Sequence, residues 1–258
     1  MTYLVFDIET VPNEELLQAA EGVTLQEYRA AKETDFIPVT YVKPVSIVVG
    51  RVSRSYELEA LVALEEAVQQ QGMLFDSEDP EKALTRAFWG GWESYNNKGA
   101  VAFVTFNGRR YDIPVMECAA YRHGISVSAW FNMYAKSWEQ NRNRYNLGAH
   151  FDIAEVLSSF GSFPMAGGLN MLAKAIGMPG KMDVCGSAVE QLYNDGNLDQ
   201  ITRYCKCDVL DTYMVFLRTL RLMGRISDDG HERRLVQQAL GLAESCNLKE
   251  YVANANYM

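Results

Sequence analysis

The segment Tyr3–Thr10 reads YLVFDIET, an apolar run that ends in two acids. Its residues are mostly β-prone and alternate little in polarity, which predicts a buried central strand over residues 2–8. Side chains two positions apart on a strand point to the same face of a sheet, so Asp7 and Glu9 present their carboxylates together. The segment therefore predicts the centre of a sheet with a pair of acids at the end of the strand.

The remaining pattern predicts a mixed α/β sheet flanked by helices, because strands come first and helices later, with one helix interleaved. The other strands are predicted at residues 45–52, 56–64, 100–106 and 150–153. The end of the third strand is equally compatible with a helix. Helices are predicted at residues 13–34, 79–95, 112–123, 169–176, 186–194, 198–223 and 231–246.

Two further segments carry acids that fit the same chemistry. Asp112 opens the helix at 112–123, and Tyr204 and Asp208 lie one turn apart on the helix at 198–223. Several carboxylates are the ligands that a pair of Mg²⁺ or Mn²⁺ ions needs, and two ions about 4 Å apart clamp the attacking and leaving oxygens of a phosphodiester. We expect Asp7 to bridge the ions, Glu9 and Asp208 to hold one of them, and Asp112 to reach the second. Tyr204 would orient the attacking water, because a phenol hydroxyl both donates and accepts hydrogen bonds.

Each acid taken alone has a simpler explanation. Asp112 is explained by helix capping, and Glu9 by exposure at a strand end. Asp208 is explained by an ion pair with Lys206 or Arg203. The joint spacing of the acids favours the metal site.

The net charge of −9, from 33 acids and 24 bases, argues against a broad grip on a nucleic-acid backbone. It does not exclude a nuclease, because bound cations supply the positive charge that meets the phosphate. Any basic surface must be local, and each candidate base is also explained as a solvated surface charge. The candidates are Arg109, Arg110, Arg142, Arg144, Lys174, Lys181 and Lys206.

Five cysteines are scattered along the chain, and only Cys205 and Cys207 are close, in a spacing unlike that of zinc sites. This pattern predicts reduced thiols, and a redox or zinc module on these two residues is a third class of function. No run of eighteen apolar residues and no signal-type N-terminus occurs. We therefore expect a cytoplasmic protein without a membrane partner.

Three ordered motifs resemble those of the DEDD 3′–5′ exonucleases of the RNase H-like superfamily. They are DIET at Asp7–Thr10, FNGRRYD at Phe106–Asp112 and YCKCD at Tyr204–Asp208. Because the third motif begins with a tyrosine, the chain resembles the tyrosine-type (DEDDy) branch of this group. The histidine branch would need histidine five residues before the last aspartate, where this chain has Arg203.

More narrowly, the chain is similar to stand-alone proteins related to the proofreading exonuclease domain of family-B DNA polymerases. The residues that carry this likeness are Leu169, Asn170, Leu172, Ala173, Lys174, Ile176, Gly177, Pro179, Gly180 and Lys181, together with Tyr204 and Cys205. The resemblance implies an RNase H-like exonuclease domain over residues 1–225, with insertions at about 13–44 and 126–148. Residues 226–258 would be a C-terminal helical extension of the same domain.

The resemblance also implies the activity and the substrate contacts. The expected substrate is nucleic acid with a free 3′ end, with single-stranded DNA favoured, and the expected products are nucleoside 5′-monophosphates. Thr10 and Asn107 would contact the terminal nucleotide, and Phe106 and Tyr111 would stack on bases, with core packing as the alternative for both aromatics.

The sequence leaves alternatives for the roles of two further acids and for the function of the protein. Asp152 ends a short strand and either approaches the metals or forms a structural salt bridge, and Asp211 shares the helix face of Tyr204 as a reserve ligand. The alternative to an exonuclease is a non-catalytic nucleic-acid-binding or scaffold protein on the same fold.

Overall fold

The computed structural model describes residues 1–70, 79–181 and 186–258, with the side chains of residues 186 and 187 left aside. Within these residues, five strands form one sheet in the order β3-β2-β1-β4-β5. β1 is antiparallel to β2 and parallel to β4, and the outer pairs are antiparallel β2–β3 and parallel β4–β5. The strands are β1 (Thr2–Pro12), β2 (Val42–Val52), β3 (Leu58–Ala63), β4 (Val101–Thr105) and β5 (His150–Asp152).

Helices follow or interrupt these strands, and a 3₁₀ helix spans Val39–Tyr41. In chain order they are α1 (Glu14–Glu21), α2 (Leu25–Lys32), α3 (Leu64–Gln70), α4 (Pro80–Asn96), α5 (Asp112–Arg122), α6 (Ser128–Phe131), α7 (Ile153–Leu157), α8 (Gly168–Ala175), α9 (Gly186–Asn194), α10 (Leu198–Leu222), α11 (Asp229–Ser245) and α12 (Lys249–Asn254). This confirms the RNase H-like mixed sheet with flanking helices, helical insertions and a helical C-terminal part.

The single helix expected at 13–34 is wrong. Gly22 adopts a left-handed conformation after α1, and Thr24 starts α2 with a capping box to Glu27. A left-handed glycine ends a helix, and a threonine with glutamate three residues later starts the next one. The end of the 56–64 strand is indeed helical, since α3 begins at Leu64.

The two faces of β1 belong to two cores. Tyr3 and Val5 pack with α10 and α11 on one face, and Leu4 and Phe6 pack with α4 and α5 on the other. Because strand side chains alternate, Asp7 continues the Tyr3–Val5 face and points toward α10. The period of the strand thus aims the first acid at the helix that carries Asp208.

α11 and α12 bury their apolar side chains in the same core as β1. Leu235, Ala239 and Tyr251 are almost fully buried there, beside residues of α10. No helix in the described ranges combines the length and the apolar character that a bilayer crossing requires.

Candidate active site

The end of β1 places two carboxylates next to each other. Asp7 is half-buried and Glu9 is 8% exposed, and the pairing with β2 shifts register directly after Glu9. Burial is the main cause that raises the pKa of both acids well above the ordinary value. Repulsion by Asp112 and Asp208 raises both pKa values further, so the four carboxylates form one electrostatic group.

Asp112 reaches this group from the start of α5. It is 5% exposed, and burial raises its pKa to about 7, opposed by hydrogen bonds from its own amide and that of Ile8. The loop before it turns at Asn107, whose φ is +63°, and at Gly108. A side chain at Gly108 would overlap Thr105, since a Cβ there would lie 2.5 Å from the Thr105 hydroxyl oxygen. Glycine therefore lets the loop fold back on β4.

Asp152 holds the same loop from behind. Its carboxylate accepts the amides of Asn107 and Arg109, each at 2.9 Å, and also caps α7 through the amide of Ala154 at 3.0 Å. Among the described residues it makes no ion pair, so the expected structural salt bridge is wrong. The carboxylate raises the pKa of Asp112 by repulsion, and its hydrogen bonds make it a support of the loop.

Tyr204 and Asp208 face the β1 acids from α10. Burial raises the pKa of Asp208 to about 6, and a hydrogen bond from the Tyr204 hydroxyl opposes the rise. Burial also raises the pKa of Tyr204, so the phenol is neutral and donates to the carboxylate. The ion pairs expected as the alternative for Asp208 are absent among the described residues. Lys206 binds Glu66 at 2.7 Å, and Arg203 binds Glu250 at 2.5 Å.

Cys205 touches the acid group, whereas Cys207 does not. The Cys205 thiol donates to the carbonyl oxygen of Asp7 at 3.3 Å and lies 3.7 Å from its carboxylate. Burial raises the pKa of Cys205 well above the ordinary value, so it is a neutral thiol there. Burial is the main cause that raises the pKa of Cys207, and Asp211 is the charged group that raises it most. The two cysteines therefore do not form one metal or redox site, and Cys185 lies outside the described residues.

Asp211 also faces away from the acids at β1. It is 1% exposed and accepts a hydrogen bond from the Tyr251 hydroxyl at 2.7 Å. The amide of Gly180 also bonds to its carboxylate. Asp211 thus joins α10 to α12.

Two clefts meet at the acid group. A cleft of about 840 Å³, the first cleft, contains Thr10 and Tyr111, whose hydroxyls are hydrogen-bonded at 2.6 Å. A cleft of about 710 Å³, the second cleft, contains Phe106 and Asn107. The expected substrate contacts are therefore divided between the clefts. Residues common to both clefts are Asp7, Lys181 and Asp208.

Two of the predicted basic residues face these clefts without an ion-pair partner among the described residues. Lys181 lines both clefts, and its charge lowers the pKa of Glu9 and Asp208. Arg110 is exposed and lines the second cleft. Most of the other candidates are paired with acids: Arg109 and Arg144 with Glu155, Arg142 with Glu117, and Lys206 with Glu66.

The 13–44 insertion contributes side chains to the first cleft, which no pattern in the sequence indicates. Arg29 forms a two-point ion pair with Glu190 of α9, at 3.2 and 2.5 Å, and both residues line this cleft. Phe36 lines it too and is 62% exposed. These contacts join positions far apart in the chain, and no periodicity or motif marks them.

The donor atoms fit hard divalent cations. Asp7, Glu9 and Asp208 line the first cleft, and Asp112 raises the pKa of Asp7 and Glu9 by repulsion. Ligand atoms of Asp7, Glu9 and Cys205 lie within 4.8 Å of one another. Carboxylate oxygens suit Mg²⁺ and Mn²⁺, whereas a protonated thiol is a poor ligand for them. The acids therefore fit the ions that the sequence implies.

Residues 34–255 match a protein family described as predicted 3′–5′ exonucleases related to the exonuclease domain of PolB. The chain belongs to this family. Membership confirms the expected 3′–5′ exonuclease of the RNase H-like superfamily. The matched range includes Asp112 and the α10 acids, whereas Asp7 and Glu9 precede it.

Among solved structures, the chain is similar to Escherichia coli Exonuclease I. The complex with a dT13 oligonucleotide is 16% identical at a TM-score of 0.40, over 90% of this chain and 45% of that one. The complex with dA16 is 17% identical at a TM-score of 0.38, over 88% and 46%. The chain thus spans less than half of those proteins, and these values are too low to assign an activity. No curated protein matches the chain in sequence.

Proposed function

We propose that this protein is a tyrosine-type 3′–5′ exonuclease that removes nucleoside 5′-monophosphates from the 3′ ends of single-stranded DNA. The observation that carries the proposal is the group of Asp7, Glu9 and Asp208 beside Tyr204 at the first cleft, with the buried Asp112 raising the pKa of Asp7 and Glu9 by repulsion. Family membership supports the direction of hydrolysis.

Asp7, Glu9, Asp112 and Asp208 would hold two Mg²⁺ or Mn²⁺ ions. Bound ions would supply a more acidic water ligand and positive charge at the phosphate. Without ions, burial raises the pKa of each carboxylate, and repulsion between carboxylates raises it further for Asp7, Glu9 and Asp112, so part of the group holds protons near neutral pH. Loss of these protons readies the carboxylates as ligands, and we therefore expect cation binding to release protons and to strengthen with rising pH.

Tyr204 would orient the attacking water. Its hydroxyl would donate a hydrogen bond to Asp208 while keeping its proton, which leaves the lone pairs of the phenol oxygen to accept a hydrogen bond from water. The raised pKa of Tyr204 keeps the phenol protonated at neutral pH. The residue thus positions water and does not remove its proton.

The terminal nucleotide would occupy the first cleft. Thr10 and Tyr111 offer hydroxyls there, and the exposed ring of Phe36 offers a face for stacking on a base. Lys181 lies at the junction of the clefts, where the phosphate of the hydrolysed bond would lie beside Asp7 and Asp208. The rest of the strand would leave through the second cleft, past Arg110.

The alternative is a nucleic-acid-binding protein without hydrolysis. Binding alone does not require Asp7 and Asp208 at the junction, with Glu9 and Asp112 raising the pKa of Asp7, since carboxylates repel a phosphate backbone. A divalent cation removes this conflict, which favours the enzyme.

An assay with 5′-labelled single-stranded and double-stranded DNA and RNA tests the proposal. Wild-type protein with Mn²⁺ or Mg²⁺ should shorten single-stranded DNA one nucleotide at a time from the 3′ end, and a chelator should stop the reaction. Asp7→Asn should abolish hydrolysis with unchanged far-ultraviolet circular dichroism. Asp199→Asn, an exposed acid in the first turn of α10, is the matched control and should be fully active. Hydrolysis by purified Asp7→Asn at the wild-type rate would refute the proposal.

A further inference from the structure

The excursion at residues 126–148 has an ordered frame made by side-chain amides. Asn143 donates to the carbonyl oxygen of Ser137 at 2.7 Å, and Asn146 donates to that of Gln140 at 3.2 Å. Asn141 similarly bonds the carbonyl oxygens of Ala129 and Trp130. These bonds satisfy backbone groups that lack helical or strand partners. The excursion therefore presents its other side chains from a defined backbone.

Large aromatic rings on and beside this frame face the solvent. Trp138 and Tyr145 are each 65% exposed, and Phe163, after α7, is 51% exposed. We call Trp138, Tyr145 and Phe163 the aromatic strip. Its members differ from Trp130, which lies on the same excursion but is 1% exposed and packs in the core.

The aromatic strip continues from the second cleft. Phe163 lines that cleft, and the ring of Phe160 lies 4.8 Å from the ring of Tyr145. Arg144 donates to the carbonyl oxygen of Phe160 at 2.9 Å, which fastens the excursion to this segment. The bond from Asn143 to Ser137 joins the turn that carries Trp138 to the segment that carries Tyr145. Exposed rings therefore extend from the second cleft onto the excursion.

Residues 126–148 carry a net positive charge although the whole chain is acidic, which favours contact with a nucleic-acid strand. Residues 126–148 hold Lys136, Arg142 and Arg144 against one acid, Glu139, in a chain whose net charge is −9. Arg142 and Arg144 are paired with Glu117 and Glu155, while Lys136 lies 5.5 Å from the ring centre of Trp138. Stacking, with modest help from charge, is the contact that this surface offers.

We propose that the aromatic strip binds the bases of single-stranded DNA upstream of the hydrolysed bond. This inference rests on the proposed function and assigns a role to the excursion. Every base has a π face, so stacking on exposed rings holds a single strand without selecting its sequence. A long strand reaches the aromatic strip, whereas a trinucleotide ends at the junction and the second cleft.

Hydrolysis of oligothymidylates of different length tests this role. The double variant Trp138→Ala/Tyr145→Ala should raise the KM for a 20-mer by at least about 5-fold and up to about 150-fold for each lost stack. The kcat for the 20-mer and the kcat/KM for a trimer should stay within about twofold of wild type. Tyr121→Ala removes the same kind of ring as Tyr145→Ala, 89% exposed at the end of α5, and should change none of these three values.

Two results would overturn the role of the aromatic strip. One is an unchanged KM for the 20-mer in the double variant, and the other is an equal loss for trimer and 20-mer, which would indicate damage to the site itself. A second measurement separates this inference from the proposed function: fluorescence anisotropy of labelled dT20 on the Asp7→Asn protein, with and without the double substitution. Weaker binding by the doubly substituted form would support the strip even if the wild-type protein hydrolysed nothing. Equal binding, or no binding by either form, would refute it.

Discussion

Replacing Asp211 by asparagine tests whether the catalytic group ends at Asp208. Asp211 shares a face of α10 with Tyr204 in the sequence pattern, yet the structure bonds it to Tyr251 of α12 at 2.7 Å. Asparagine keeps the oxygen that accepts this bond and removes the charge. We therefore expect Asp211→Asn to retain Mn²⁺-dependent hydrolysis within about twofold of wild type.

The stability of this variant should depend on pH in a defined direction. Burial is the main cause that raises the pKa of Asp211 from 3.8 to about 7. Because the folded state holds this proton more tightly than the unfolded state, the free energy of unfolding falls as pH rises from 3.8 and levels off above about 7. At about 1.4 kcal/mol per pKa unit, the raised pKa of Asp211 lowers the free energy of unfolding by about 2 kcal/mol at pH 5.5 and by about 4 kcal/mol at pH 8, relative to its value below pH 3.8.

Asparagine does not titrate. Between pH 5.5 and pH 8, the free energy of unfolding of the variant should therefore fall by about 2 kcal/mol less than that of wild type. Urea unfolding of both proteins with chelator, at pH 5.5 and pH 8, measures this difference, and Asp199→Asn serves as the exposed control. Parallel pH dependence of wild type and Asp211→Asn would show that the carboxylate is not held protonated by burial. Loss of hydrolysis in a folded Asp211→Asn protein would instead make Asp211 part of the metal site.

Three other substitutions separate the roles of the remaining groups. Tyr204→Phe should lower kcat by roughly 10²-fold with unchanged Mn²⁺ affinity by calorimetry, since only the water loses its orienting hydroxyl; full activity would mean that another group orients the water. Asp152→Asn should lower the free energy of unfolding by about 1–3 kcal/mol in urea, because an amide nitrogen cannot accept a backbone N–H of the loop; an unchanged value would show that the loop is held elsewhere. The double variant Cys205→Ser/Cys207→Ser should keep the metal content that mass spectrometry measures for wild type, since burial raises the pKa of both thiols and keeps them neutral. A lower metal content would show that a thiol is a metal ligand.

The local structure of the candidate site was predictable from the sequence. Strand period 2 placed Asp7 and Glu9 together, and helix period 3.6 placed Tyr204 over Asp208. The break between α1 and α2 also has local signals in the sequence, which are Gly22 and the Thr24–Glu27 capping box. The prediction of one helix over 13–34 did not use them. Local hydrogen bonding and side-chain period decide these features, and both are properties of short segments.

Contacts between distant segments were not predictable in this way. The bond of Asp152 to two loop amides and the ion pair of Arg29 with Glu190 depend on how separate elements pack. The three acidic segments were grouped in advance by their shared metal-site chemistry and by the family resemblance, because no periodicity links β1 to α5 and α10. The excursion at 126–148 gave no pattern either, since its frame is held by asparagine side chains and not by a repeating apolar face.

The electrostatics of the acid group point beyond stability. Burial raises the pKa of all four carboxylates and repulsion adds to the rise for Asp7, Glu9 and Asp112, whereas Lys181 lowers the pKa of Glu9 and Asp208. Because the pKa of these acids is higher in the folded than in the unfolded state, their free energy contribution lowers stability at neutral pH. Neutral residues of similar size would therefore stabilise the metal-free fold. A protein that only needed a packed junction between β1, α5 and α10 has no physical reason to keep these charges. Neutralisation by divalent cations, as proposed above, would give that reason, because the cations would offset the charges of Asp7 and Asp208 where the two clefts join.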